Sequence, residues 1–384
     1  MQPSTSNTLA AGTYADPDFS RAVIDWQQSH GRHALPWQNT RDAYRIWLSE
    51  IMLQQTQVTA VIPYYQKFLL SFPDVAALAG ATSEQVMSHW SGLGYYTRAR
   101  NLHQCAKRVV AEHGGLFPAD PGLLADLPGI GRSTAAAISA FAYGTRAAIL
   151  DGNVKRVFTR VFGVDGYPGS KPVEDQLWRR AVDLLPQVGI ERYTQGLMDL
   201  GATLCTRSRP DCARCPLAAR CVALATDRVH LLPVRKPKKA VPQRQTSMLV
   251  VIDQGQVLLE QRPDSGIWGG LLSLPELEAL APADLDDEAD GATFGQLLTQ
   301  ALAPFGVPAS CARLTPFSHV FTHFKLQISP YEVRLSRRLD RAGQDSHVWY
   351  PVERLADAPL PAPVKKLLLE LLRTEDLFAP ERAA

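Results

Sequence analysis

A chain of 384 residues, 46% hydrophobic and 20% charged, is long enough for two domains with cores of their own and has an ordinary globular composition. It has no run of eighteen apolar residues, which excludes a membrane-spanning helix, and no charged-then-apolar targeting pattern opens it. The formal net charge is only +2, yet residues 201–245 hold ten Lys or Arg against two acids, Asp211 and Asp227, which points to a polyanionic partner.

In chain order, residues 1–18 match no pattern and are expected to be a disordered extension. From about Phe19 to Leu224 apolar residues recur at three- and four-residue steps. This predicts helices over Tyr44–Leu70, Asp74–Trp90, Arg98–Glu112 and Ser133–Tyr143, parted by Pro- or Gly-bearing turns. An all-α domain over 19–232 follows. Residues 233–246 are charged and proline-punctuated, as a linker would be. Beyond them the period changes. Met248–Ile252 and Val257–Glu260 flank the turn Asp253-Gln-Gly-Gln256 and predict a hairpin. Leu326–Leu335 and Val348–Tyr350 predict strands and Ala362–Arg373 a closing helix, so 247–373 reads as an α+β domain before a tail, 374–384. The acid-rich stretch Glu276–Asp290 reads as a solvated loop.

Four of the six cysteines, Cys205, Cys212, Cys215 and Cys221, fall within seventeen residues. Thiolate softness selects zinc, copper(I) or an iron–sulfur cluster. Structural zinc sites usually pair two short knuckles, and only Cys212 and Cys215 form one; an iron–sulfur cube tolerates the wider outer gaps. Disulfides are the third reading. In Leu127-Pro-Gly-Ile-Gly-Arg-Ser-Thr134 the glycines permit a tight turn, and the N–H groups opening the next helix can hold a phosphate; a plain helix–helix turn is the alternative. Glu50, in Trp47-Leu-Ser-Glu-Ile-Met-Leu-Gln-Gln-Thr56, is either a solvated surface acid or an acid whose pKa apolar neighbours raise. In the second case, a further carboxylate such as Asp151 suits it to glycoside-type cleavage through a cationic sugar.

Taken together, the Cys-x6-Cys-x2-Cys-x5-Cys run, the Leu-Pro-Gly-Ile-Gly hairpin and the downstream Asp resemble the helix–hairpin–helix DNA glycosylase superfamily. Trp47–Gln57, Gly92-Leu-Gly-Tyr-Tyr96, Ile149-Leu-Asp-Gly-Asn-Val-Lys-Arg156 and Met198-Asp-Leu-Gly201 resemble its MutY-type adenine DNA glycosylases, from about residue 20 to 371. The resemblance implies one 4Fe–4S cluster on Cys205, Cys212, Cys215 and Cys221. It implies double-stranded DNA carrying adenine opposite 8-oxoguanine or guanine as substrate. Glu50 would be general acid and then base, Asp151 would stabilise the oxocarbenium, and Asn153 would hold that loop. Superfamily members with lyase activity carry a lysine where Ser133 stands, so the implied enzyme is monofunctional.

Family DNA contacts map onto Trp37, Gln38, Gln55, the wedge Leu93, Gly94 and Tyr95, and the hairpin residues Gly129, Gly131, Arg132 and Ser133, with Arg207, Arg209 and Arg214 as further phosphate ligands. The second domain resembles a Nudix fold through Gly266-Ile-Trp-Gly-Gly-Leu271 and Pro316–Phe324, but lacks the glutamate-rich hydrolase box. It would read the lesion through Phe321, Thr322 and His323, where the family has Phe-Ser-His; the literal Phe317-Ser318-His319 upstream reads as a decoy. The implied protein is a monomer, with no membrane association, in a bacterial cytoplasm beside the nucleoid. A lyase-active pyrimidine glycosylase, a non-catalytic damage binder and a nucleotide hydrolase are the competing readings.

Overall fold

The computed structural model describes residues 15–236, 241–263, 265–277, 288–321, 323–339 and 346–378. Most of the acid-rich stretch, Thr322, and parts of the N-terminal extension, linker and tail lie outside the described residues. The described residues divide into two compact units, one within 1–80 and 101–238, the other within 81–100 and 239–384.

The first unit is helical: α1 (Pro17–His30), α2 (Ala43–Leu53), α3 (Val58–Ser71) and α4 (Val75–Gly80) lead on, past α5 (Ser83–Trp90) and the start of α6 (Thr97–His113), to α7 (Pro121–Ala125), α8 (Arg132–Tyr143), α9 (Gly152–Val161), α10 (Lys171–Asp183), α11 (Ile190–Asp199) and α12 (Val222–Ala225). Residues 17 and 18 belong to α1 rather than to an extension. Asp16 accepts a hydrogen bond from Phe19 N–H, and Pro17 sits in the first turn, where no N–H is needed. Phe19 and Val23 of α1 are fully buried against a core that includes Phe158, Tyr193 and Leu197. Gly196 of α11 lets α1 approach, because a Cβ there would meet the Val23 side chain at 2.8 Å.

Two long predicted helices are broken. Tyr44–Leu70 divides at residues 54–57, where Gln55 takes φ 59°, and Asp74–Trp90 divides between α4 and α5, where Thr82 starts a new helix with a capping box. Four polar residues part Leu53 from Val58 and four part Ala81 from Val86, so the apolar spacing itself lapses at both joints. In α2 the side chains of Ile46, Trp47, Leu48, Ile51 and Met52 are buried, which leaves Glu50 on the remaining face.

The second unit gathers α5 and the following loop with an eight-stranded sheet. Its strands are β1 (Gln243–Asp253), β2 (Gln256–Gln261), β3 (Leu272–Ser273), β4 (Glu276–Leu277), β5 (Gly306–Arg313), β6 (Phe317–Val320), β7 (Lys325–Arg338) and β8 (His347–Pro351). Helix α13 (Glu288–Leu302) and the closing helix α14 (Ala362–Phe378) complete it. The central order is β3-β2-β1-β7-β5, with β1 and β7 parallel and β6 paired to β7. The predicted hairpin forms, with Gln254 and Gly255 at positive φ between Asp253 and Gln256. Residues 81–100 join this unit through Ser88 Oγ donating to Asp357 O (2.6 Å) and Ser91 Oγ to Leu360 O (3.0 Å). Leu249, Val251, Phe294, Leu298 and Trp349 form its core.

Candidate functional site

Glu50 opens into a cleft of about 970 Å³ in the first unit, walled by the 32–41 loop and by the α11 residues Glu191, Gln195 and Met198. Burial, and secondarily the charge of Asp151, push its carboxyl up to about 8. It therefore carries its proton at neutral pH. Trp37 and Gln38 also line this cleft. Trp37 is buried and packs edge-on against Tyr65 at 5.4 Å. Gln38 accepts from Leu35 N–H (3.0 Å) and donates to Arg32 O (2.9 Å), so its amide closes the loop on itself. Arg32, absent from the sequence-based candidates, anchors that loop. Its Nε donates to Asp199 at 2.6 Å, and Asp199, with no exposure at all, also accepts from Gln195 (2.9 Å). This pairing spans 167 residues of chain, and no local pattern announces it.

Asp151 does not line the cleft, yet it is close enough for its charge to act on Glu50. It caps α9: Oδ1 accepts from Val154 N–H at 2.8 Å, and Asn153 Nδ2 lies 3.5 Å from Oδ2. Burial raises its pKa, and the Val154 and Asn153 hydrogen bonds oppose that rise. Asn153 Oδ1 in turn accepts from Arg156 Nη2 (2.9 Å), whose guanidinium also donates to Gly201 O (2.6 Å) and Cys205 O (2.7 Å). Gly201 is required here, because a Cβ would meet Asn153 Cβ at 2.5 Å. Ser133 reaches the same segment: its Oγ accepts from Leu150 N–H at 3.0 Å.

The hairpin before Ser133 is built for close approach. Gly129 has φ 77°, and a Cβ on it would strike Asn101 Cβ at 2.9 Å; Gly131 caps α8 with no side chain over the first-turn N–H groups. That helix start is a ready anion site. The guanidinium of Arg132 is held over the Trp178 ring at 3.8 Å, beside that start.

All four clustered cysteines line one small apolar cavity with Val157, Leu200 and Leu217. A wider turn, Leu200–Leu204, continues α11 and delivers Cys205. Among the described residues no three metal-binding side chains converge on a single-ion site. Four soft thiols around one shared apolar cavity fit a thiolate-held metal centre. Burial pushes the Cys215 thiol up to about 11. Arg160, buried, donates to Cys205 Sγ at 3.3 Å and to Thr206 O at 2.7 Å. Arg207, Arg209 and Arg214 lie exposed around the loop.

In the second unit a cleft of about 540 Å³ is lined by Gly94, Tyr95, Arg244, Trp268, His319, Phe321 and Phe324, among others. Tyr95, at φ 51°, is 48% exposed, whereas Leu93 is buried and Gln55 of the first unit is exposed. Phe321 and Phe324 bracket the β6–β7 turn, with rings stacked at 4.5 Å. Thr322 lies outside the described residues; His323 is exposed and does not line the cleft, whereas His319 of β6, from the triplet read as a decoy, does.

A helical unit with a glycine hairpin, a recessed acid and four clustered thiols, alongside a mixed-sheet unit, defines a base-excision repair enzyme of the helix–hairpin–helix class. Residues 48–181 match the model of the HhH-GPD superfamily of base excision DNA repair proteins, and residues 247–370 match a NUDIX domain. The adenine DNA glycosylase of Buchnera aphidicola subsp. Acyrthosiphon pisum is 34% identical over 352 residues, 91% of this chain and 96% of that one. The human adenine DNA glycosylase is 34% identical over 374 residues, 83% of this chain and 67% of that one. Among solved structures, a thermostable thymine-DNA glycosylase aligns with a TM-score of 0.50 at 29% identity, over 54% of this chain and 96% of that one. The chain belongs to the adenine DNA glycosylase family and is a DNA N-glycosylase.

Proposed function

We propose that the enzyme removes adenine paired with 8-oxoguanine, and with guanine, from double-stranded DNA, using Glu50 as acid and base. The observation that carries this reading is the Glu50 carboxyl, held protonated to about pH 8 at the wall of a cleft roomy enough to admit a base and coupled to the charge of Asp151. Burial raises both carboxyls, and hydrogen bonds from Val154 and Asn153 oppose the rise at Asp151, which favours Glu50 as the acid and Asp151 as the anion. Glu50 gives its proton to adenine N7. The C1′–N9 bond then breaks with its electron pair leaving on the base, and the Asp151 carboxylate stabilises the cationic sugar. Water adds at C1′ and returns a proton to Glu50. Adenine enters the cleft by flipping out of the duplex, which costs roughly a few kcal/mol and least at a mismatch.

Ser133 offers a hydroxyl already engaged with Leu150 N–H, and no amine to trap the sugar, so strand cleavage is absent or weak. Cys205, Cys212, Cys215 and Cys221 would hold one 4Fe–4S cluster, which when bound staples the basic loop that faces phosphate. The start of α8, Arg132 and the exposed arginines of that loop grip the backbone. The cleft of the second unit reads the base opposite the adenine.

Single-turnover excision on duplexes carrying adenine opposite 8-oxoguanine, adenine opposite guanine, and thymine glycol tests this reading. Fast release of adenine from the first, slower from the second and none of the third is expected. Activity confined to thymine glycol would overturn it, as would efficient borohydride trapping of a covalent adduct. Iron analysis with the visible absorbance tests the cluster.

A further inference from the structure

We propose that Arg32 and Asp199 are positioning residues for the excision step: their ion pair clamps the 32–41 wall of the cleft against α11 and so keeps water from Glu50. This rests on the reading of Glu50 as the acid of that step.

The connection from α1 to α2 spans residues 31–42, and a connection of this kind is held by its side chains rather than by a backbone ladder. Asp199, the last residue of α11, supplies the anchor. Its Oδ1 accepts from Arg32 Nε (2.6 Å) and from Gln195 Nε2 (2.9 Å), and its Oδ2 accepts from the main-chain N–H of Arg32 (2.9 Å). One carboxylate with no exposure thus grips both the backbone and the side chain of Arg32. The rest of the loop hangs from that point. Arg32 O accepts from the Gln38 side chain (2.9 Å), which itself accepts from Leu35 N–H (3.0 Å). At the far end Arg41 pairs with Glu191 of α11 at 3.0 Å in a more exposed setting. The next residue, Asp42, caps α2 by accepting from Tyr44 N–H (2.9 Å) and Arg45 N–H (3.3 Å). The loop is therefore tied along α11 at both ends, and it delivers the helix that carries Glu50.

An exposed ion pair contributes little, whereas separating a buried one leaves an uncompensated charge, so the Arg32 end carries the clamp. The cleft also bears His33, Arg41, Glu191 and Arg192 beside Arg32. Yet burial, and after it the charge of Asp151, is what raises the Glu50 carboxyl. Arg32 acts on Glu50 by holding the wall, not through its own charge. The two routes differ in sign. Losing a nearby cation raises the pKa of an acid, whereas admitting water to a buried acid lowers it.

The test is the pH profile of the single-turnover excision rate, with full-length protein saturating a duplex that carries adenine opposite 8-oxoguanine. Arg32→Lys keeps the charge and loses the planar fork that meets the carboxylate. Asp199→Asn keeps the shape and removes the charge. Each is expected to slow excision about tenfold at neutral pH, as for a reacting group held less well in place. Each should also move the basic limb of the profile to lower pH by about 1 unit, as water reaches Glu50. The double variant should lose no more than the larger single loss, because the two residues act as one clamp. A purely structural role would lower the melting temperature and leave the profile of the folded enzyme in place, so rates are taken well below each variant's melting temperature. Should Asp199→Asn fail to fold, Arg32→Lys, which keeps a cation beside the buried carboxylate, decides alone. If the unaltered protein has no basic limb, the reading of Glu50 fails. If it has one that Arg32→Lys leaves in place or moves to higher pH, that reading stands and the clamp falls.

Discussion

The Glu50 cleft and the aromatic cleft of the second unit are both open grooves, furnished in opposite ways. The first is bordered by polar clamps: Arg32 on Asp199 and Gln38 folded onto its own loop. These bonds are spent within the fold, and Glu50 is left on the cleft wall with a raised pKa. The second is walled by Trp268, Phe321, Phe324 and Tyr95, with flat faces and few polar atoms. Proton transfer demands a group held where water cannot level its pKa, so the surroundings must be satisfied among themselves. Recognition of a planar base demands open π-faces and a few unspent polar groups.

The sharpest way to break this contrast is Glu50→Gln. Excision of adenine should fall by about 10³-fold, within the range for loss of a general acid, while affinity for the mispaired duplex persists. A variant that cleaves at near-normal rate would remove Glu50 from the chemistry. Gly201→Ala comes next. Its Cβ would need space now held by Asn153 Cβ, a clash costing about 1–3 kcal/mol, and the displaced Asn153 should slow excision as well as lower the melting temperature. If Gly201→Ala melts and cleaves normally, the tight contact is not part of the site.

On the recognition side, Tyr95→Ala removes a half-exposed ring and should weaken duplex binding by about 1–3 kcal/mol, with the excision step once bound much less affected. A large loss in the single-turnover rate at saturating protein would contradict that division of labour. Ser133→Ala tests a smaller link. Loss of the hydroxyl that accepts from Leu150 N–H costs about 1 kcal/mol and should slow the chemical step about fivefold by loosening the segment that carries Asp151. An unchanged rate would leave Ser133 as no more than the residue that replaces a lysine.

Stability against pH sharpens the picture of Glu50 with the least perturbation. Its folded pKa is raised to about 8, so the folded state keeps the proton longer than the unfolded chain does. Stability is fully present below the ordinary carboxylate range and is lost as pH rises towards and through about 8. The melting temperature of Glu50→Gln relative to the unaltered protein should therefore climb across that window. A flat difference would mean that the carboxyl is solvated. The excision rate should fall along the same basic limb.

Much of this enzyme was legible one motif at a time. The cysteine spacing, the glycine hairpin, the helical period before the linker and the alternating period after it are local signals, because each depends on residues a few positions apart. The helix joints at 54–57 and 81–82 escaped the reading, although a run of four polar residues interrupts the apolar spacing at each; the structure marks them with a backbone turn at Gln55 and a cap at Thr82. Gln38 adds what spacing does not show: its side-chain amide bonds Leu35 and Arg32 of its own loop.

By itself the sequence determined the two kinds of domain, the thiol set and the candidate pair Glu50 and Asp151. Residue type and short spacing suffice to state which chemistry is available. Tertiary structure decided which of those groups are desolvated, which are already spent, and which meet. Arg32 finds Asp199 across 167 residues, and β1, β6 and β7 bring Arg244 and His319 onto one rung that no spacing along the chain encodes. Burial and partnership are properties of what surrounds a side chain, and in a fold most of those surroundings come from distant parts of the chain.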